Sequence, residues 1–228
     1  MFGALTCIMP YIASEDRPRL DRIVDGLADE LASRLSEEMN GDTEVSSCYK
    51  GAFLAVARRL QSLQRGEKHS PQSKAEELAF EIFAGAEKHG YRGAWVGGFD
   101  YALTRLIQRV PVKMVEKGAW KEEFRFWVYA QTGGALEKTA MTIHSEGGDD
   151  DWVSDALVAV LTDVKDEYKR RVNIAYEAVQ IRKSGDCYTT PYRTEIVDVK
   201  DDMKKVIGYT EIMKEFGSPR RDKRADRE

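Results

Sequence analysis

The sequence predicts an all-α protein, a bundle of five to seven helices with a long helix in its C-terminal half and a short extended arm near its end. Three observations predict it. Apolar residues recur every three or four positions along most of the chain, the spacing that places one stripe on a helix. The stretch from Trp152 to Lys183 holds neither glycine nor proline. Asn40-Gly41, Pro71, Gly90 and Pro111 fall between periodic stretches, where turns belong.

The first helix carries Leu20, Ile23, Val24, Leu27, Leu31 and Leu35, with Pro18 in its first turn and Asn40-Gly41 as its stop. A second spans about Glu44 to Gln64 on Val45, Tyr49, Phe53, Val56, Leu60 and Leu63. Ser70-Pro71 then reads as the cap and first turn of a third helix running to Lys88, with Gly90 beyond its end. Gly90, Gly93, Gly97 and Gly98 predict an irregular approach to a fourth helix, Phe99 to Val110, which Pro111 ends. Trp120 to His144 is helical and aromatic-rich, its aromatics read as core, with a break or kink at Gly133-Gly134.

Trp152 to Lys183 keeps a stripe through Val153, Leu157, Val160, Val164, Tyr168, Val172, Ala175 and Val179, implying one helix of roughly 45 Å at about 1.5 Å per residue. Asp149 to Asp151 at its start and Arg182-Lys183 at its end suit the helix dipole. A helix of that length exceeds what one small domain buries, so a contact with a second copy is expected, a dimer or higher homo-oligomer. Arg193 to Val199 reads as a strand or extended arm and Asp201 to Phe216 as a final amphipathic helix. Residues 1–217 are read as one helical domain and 218–228 as a charged flexible tail.

Composition narrows the function classes. The 228 residues are 42% hydrophobic, enough for one sizeable core. A net charge of -4 and an isoelectric point near 5.6 argue against general nucleic-acid binding, which needs clustered Lys and Arg. Three scattered cysteines fit reduced thiols rather than a disulfide framework. No apolar run approaches the roughly 18 residues of a membrane span, so no membrane partner and a cytoplasmic location are expected. MFGALTCI lacks the features of a signal peptide, and Met9 reads as the natural start.

Two enzyme patterns were weighed. Glu76, Glu77 and Glu81 on the third helix, with Asp163, Asp166 and Glu167 on the long one, would form a Mg²⁺ cluster if those helices faced each other, as in helical nucleotide pyrophosphohydrolases. The four-residue gap from Glu77 to Glu81 is one longer than that motif uses. Arg65 and His69 are too close for a helical ribonuclease pattern, and His69, His89 and His144 read as surface or helix-end residues. The sequence therefore names no catalytic residue, metal ligand or cofactor, and leans away from an enzyme.

Three blocks carry a resemblance. MPYI at Met9 to Ile12, GGFDYALTRL at Gly97 to Leu106 and LTDVKDEYKRRVNIAYEAVQIRKSGDCY at Leu161 to Tyr188 resemble a family of small uncharacterised phage and bacterial proteins. Those proteins carry MPYI, GxLNYxITRL and EFYRR…PYE…NGDVY motifs. Here Asp100 stands in place of Asn, Ala175 in place of Pro and Ser184 in place of Asn. The family-like blocks are 9–21, 97–107 and 152–188; the resemblance makes 22–95 and 108–150 insertions.

The resemblance implies a non-enzymatic accessory protein acting by stoichiometric binding, in the host cytoplasm if the gene is viral. Its partner would be a nucleotide-type signal of host defence or a host protein. A Mg²⁺-dependent pyrophosphohydrolase and a virion or assembly component are the alternatives. The motif residues Tyr101, Arg105, Glu167, Arg170, Arg171, Tyr176, Glu177 and Asp186 are the candidate ligand-binding set. Two readings of them stay open. Asp166 with Arg170 and Glu167 with Arg171 have the acid-first i,i+4 spacing of helix-surface pairs, each worth roughly 0.2–0.5 kcal/mol. Arginine and tyrosine also build sites for phosphates and bases, so Tyr101, Arg105, Arg170 and Arg171 are expected to converge on an anion.

Overall fold

The structure is a computed structural model that describes Ile12, residues 15–38, 44–67, 69–90, 93–120, 122–148 and 151–174, Ala178, and two strands at 192–200 and 206–215. In 122–130 and in the strands the description is of the backbone alone. The chain divides into two compact units, Met1–Arg170 and Arg171–Glu228.

Among its described residues the first unit is all-α, with six helices: α1 (Arg17–Glu38), α2 (Glu44–Gln64), α3 (Lys74–Glu87), α4 (Ala94–Glu116), α5 (Glu122–Glu146) and α6 (Trp152–Tyr168). The predicted apolar stripes of α1 and α2 are buried: Val24, Leu35, Tyr49, Phe53, Val56 and Leu60 are at most 1% exposed. They join Leu78, Phe99, Leu103, Leu106, Leu136, Leu157 and Leu161 in one core cluster. Trp95 on α4 and Trp152 on α6 pack at a ring separation of 6.2 Å. The Tyr49 phenol is wholly enclosed, and burial, the largest influence on it, pushes its pKa far above the usual value.

Helices α1 and α4 run parallel, joined by a ladder of ion pairs whose acids stand one turn apart on α1. Arg105 reaches Asp21 at 3.1 Å, Arg109 takes both oxygens of Asp25 at 2.6 and 3.1 Å, and Lys117 reaches Asp29 at 2.9 Å. Both partners advance with residue number, which fixes the parallel sense. At the other side of the core, Gln61 of α2 donates to Ser154 of α6 at 2.8 Å, and Ser154 donates to Asp151 at 2.6 Å. Asp151 is the N-cap of α6.

Several boundaries depart from expectation, each for a local reason. α3 starts at Ser73, not Ser70: Ser73 accepts from the Glu76 N–H at 3.2 Å, and Glu76 accepts from the Gln72 N–H at 2.9 Å. α4 opens at Ala94, taking Gly97 and Gly98 into the helix, and continues through Pro111. Val110 and Met114, both fully buried, hold it on either side of the proline. It ends at Gly118, whose φ of 67° closes a Schellman turn: Ala119 N–H bonds Met114 O and Gly118 N–H bonds Val115 O, both at 2.9 Å.

α5 runs unbroken across Gly133-Gly134, because Thr132, Ala135, Leu136, Thr139 and Ile143 are all buried around the pair. That packing overrides a glycine cost of about 1 kcal/mol per residue. The α-helical ladder of α6 stops at Tyr168, and the chain continues as a π-helical turn over Lys169–Asn173. The rest of the predicted long helix falls largely outside the described residues, as do Asn40-Gly41 and the tail.

In the second unit β1 (Tyr192–Lys200) pairs antiparallel with β2 (Val206–Glu215), Ile196 opposite Glu211, with an irregularity between Val199 and Lys200. Residues 193–199, expected as a strand or extended arm, are strand, whereas 206–215, expected within a final helix over 201–216, are strand and not helix. Val206, Ile207, Tyr209, Thr210 and Ile212 are β-branched or aromatic, and that preference outweighs a weak helical spacing.

Candidate functional site

The parallel ladder brings the N-terminal ends of α1 and α4 to the same end of the bundle, and the C-terminal end of α3 lies between them. There a cleft of about 450 Å³ opens. Its walls come from Asp16, Arg19 and Leu20 at the start of α1, Glu81, Ile82, Lys88 and His89 toward the end of α3, and Ala94, Gly97 and Gly98 in the first turns of α4, with Ile12 at the edge.

Two helix N-termini and one C-terminus meet here, so the charges follow the dipoles. Asp16, beside the start of α1, receives His89 Nε2 at 3.0 Å and Lys88 Nζ at 3.6 Å from the end of α3. Glu81, only 8% exposed, is held by Arg19 Nε at 2.6 Å, while the Arg19 side chain is 60% open to solvent. α4 begins at Gly93 with no side-chain cap, leaving its positive end at the cleft wall. Gly98 allows α3 and α4 to approach closely, since a Cβ there would lie 3.0 Å from Ile82 Cγ2.

Tyr101 and Arg105 lie one and two turns further along α4. They meet each other on Asp21: the Tyr101 hydroxyl donates to it at 3.0 Å and Arg105 at 3.1 Å, with the Arg17 guanidinium 5.8 Å above the Tyr101 ring. Burial, followed by the Asp21 contact, raises the Tyr101 pKa. The two residues are thus the top rung of the α1–α4 ladder.

A different residue of the block turns toward α6. Asp100 has its pKa raised first by burial, then by Asp163, with Glu167 adding to it and a hydrogen bond from Thr104 opposing. Arg170 grips both oxygens of Glu167 at 2.8 and 2.9 Å, an i,i+3 pair where the spacing predicted Asp166 as its partner. Arg171 is exposed on the π-helical turn. Tyr176, Glu177 and Asp186 lie outside the described residues.

The proposed Mg²⁺ cluster across α3 and α6 does not assemble. Glu76 serves the start of α3, Glu77 pairs with Lys74 at 2.7 Å, and Glu81 pairs with Arg19. Among the described residues no group of three or more His, Cys, Asp or Glu is placed to hold a metal ion. No described helix is long and apolar enough to cross a membrane.

The site therefore defines an α-helical unit with a mixed-charge cleft where segments 15–20 and 94–98 meet the end of α3. The chain belongs to a family known as Domain of unknown function (DUF6899), whose model matches residues 9–187. That span includes every described helix and all of the cleft. No curated protein and no solved structure matches the chain.

Sequence reasoning missed His89, Lys88, Asp16 and Arg19 as site residues. His89 had the fate predicted for it, a helix-end position, but that end faces the cleft. The available signal was the glycine pair Gly97-Gly98, which permits close backbone approach without showing what comes close.

Proposed function

We propose that the protein is a stoichiometric binding protein whose α1–α3–α4 cleft takes a small nucleotide-type ligand. The supporting observation is the cleft's combination of an uncapped helix N-terminus with exposed cations and partly shielded carboxylates. A phosphate suits the end of α4 beside Arg19 and Lys88. Asp16 and Glu81, with Glu15 also lining the cleft, supply acceptors for sugar hydroxyls or base amines. Binding without chemistry is the role, as in an accessory protein of phage type that sequesters a host-defence signal in the cytoplasm. This moves the ligand from the Tyr101–Arg105 rung to the neighbouring cleft, with the rung supporting the two helices that form it.

Calorimetry of the full chain against a panel of mono-, di- and cyclic nucleotides tests this reading. One ligand should bind in a defined ratio to the chain and be recovered unchanged after heat release. Arg19→Ala should weaken it by roughly 1.5–3 kcal/mol, the scale of a charge-assisted hydrogen bond, with the melting transition retained. No binding across the panel would reject the proposal. Recovery of a hydrolysed nucleotide would replace it with an enzyme.

A further inference from the structure

A second surface stands apart from the cleft, between α5 and α6. A groove of about 230 Å³ runs there, floored by Ala140, Val158 and Leu161. Met141 stands beside it and is 66% exposed, more than Val115 at 59%, Val112 at 41% or Phe80 at 39%. An unbranched, polarisable side chain of this kind fits irregular apolar recesses.

The rim decides what would cover it. Glu137 and Lys165 sit together at one end, 4.0 Å apart. Toward the α5–α6 turn, where Gly147 meets Ser154, are His144 of α5, which lines the groove, and Asp155 of α6, both exposed. Each helix thus carries an acid toward its N-terminus and a basic group toward its C-terminus. Because the helices are antiparallel, the signs alternate around the groove. A two-fold axis lying in the plane of such a surface superimposes opposite signs. Perpendicular to the helices, it sets Glu137 against the copy's His144 and Lys165 against the copy's Asp155; parallel to them, it sets Glu137 against Lys165 and His144 against Asp155.

We propose that this face is a two-fold interface between copies of the chain, with Met141 of each copy seated in the α5–α6 groove of the other. A self-complementary surface is what an isologous dimer requires. The contact does not depend on the cleft or on its ligand.

Sedimentation velocity of the full chain over a micromolar concentration series should show a monomer–dimer equilibrium. Met141→Glu, which places a carboxylate at the centre, and Glu137→Lys, which removes the acid that faces the copy's His144 or Lys165, should each raise the dissociation constant at least about tenfold. Met141→Leu should preserve the dimer. Both residues are exposed, so unchanged helical circular dichroism and melting will separate lost association from lost folding. A chain that stays monomeric throughout, or a dimer that Met141→Glu leaves unchanged, overturns the proposal.

Discussion

At the scale of single residues, Asp100 is where charge and burial work against each other. Its carboxyl is partly enclosed beside Asp163 and Glu167, and its pKa is raised. A group whose folded pKa lies above its unfolded value contributes stability below the unfolded value, and that contribution is lost as pH rises through the folded one. Asp100→Asn should therefore raise the melting temperature at neutral pH and give no gain near pH 3. The gain should be no more than about 1 kcal/mol, since solvent screens the group. Thermal melts across that range check it; equal gains at both ends would mean that charge is not the cause. Gly147 is a steric counterpart: a Cβ there would lie 2.9 Å from Ser154 Cβ. Gly147→Ala should disturb the α5–α6 turn and cost about 1–3 kcal/mol, the scale of overpacking, in denaturant titration. Neither effect was legible in the sequence, because each depends on which helix lies opposite.

At the scale of elements, apolar periodicity identified the helices and local chemistry set their ends. The full stripe of α2 gave its bounds without correction. At α3 the Ser73-x-x-Glu76 spacing was a readable start signal, passed over for the adjacent Ser70-Pro71. At α4 the reading gave Pro111 too much weight, while the true stop, Gly118, lay one turn past the last buried residue. The Tyr101 and Arg105 motif was legible as polar, but the partner that organises it, Asp21, sits on another helix some eighty residues away in sequence. The cap of α6 offers a test of such local chemistry. Ser154, Val153 N–H and Arg65 all favour the Asp151 carboxylate, the Ser154 hydroxyl most, and its pKa is lowered. A lowered folded pKa gives stability above the unfolded value that is lost as pH falls through the folded one. Asp151→Ala should cost about 1 kcal/mol at neutral pH, the usual worth of an N-cap, and much less in strong acid. A pH-independent loss would assign the effect to packing alone.

At the scale of the molecule, the distribution of the core predicts what can fold by itself. Every residue of the core cluster lies between Leu20 and Val164, inside the first unit, and the α1–α4 ladder, the Gln61–Ser154–Asp151 chain and the Arg58–Glu146 pair between α2 and α5 all close within it. Burial of apolar area supplies most of the stability of such a unit, and surface ion pairs contribute less than about 1 kcal/mol each. Met1–Arg170 should therefore fold as a cooperative helical domain without the ribbon, and it should retain both the cleft and the α5–α6 face. The expected result is a single sharp melt by circular dichroism, together with native-like protection of α1, α2 and α4 amides from hydrogen exchange. A broad, non-cooperative melt would show that residues beyond Arg170 complete the core, and the assignment of the fold to the first unit would fail.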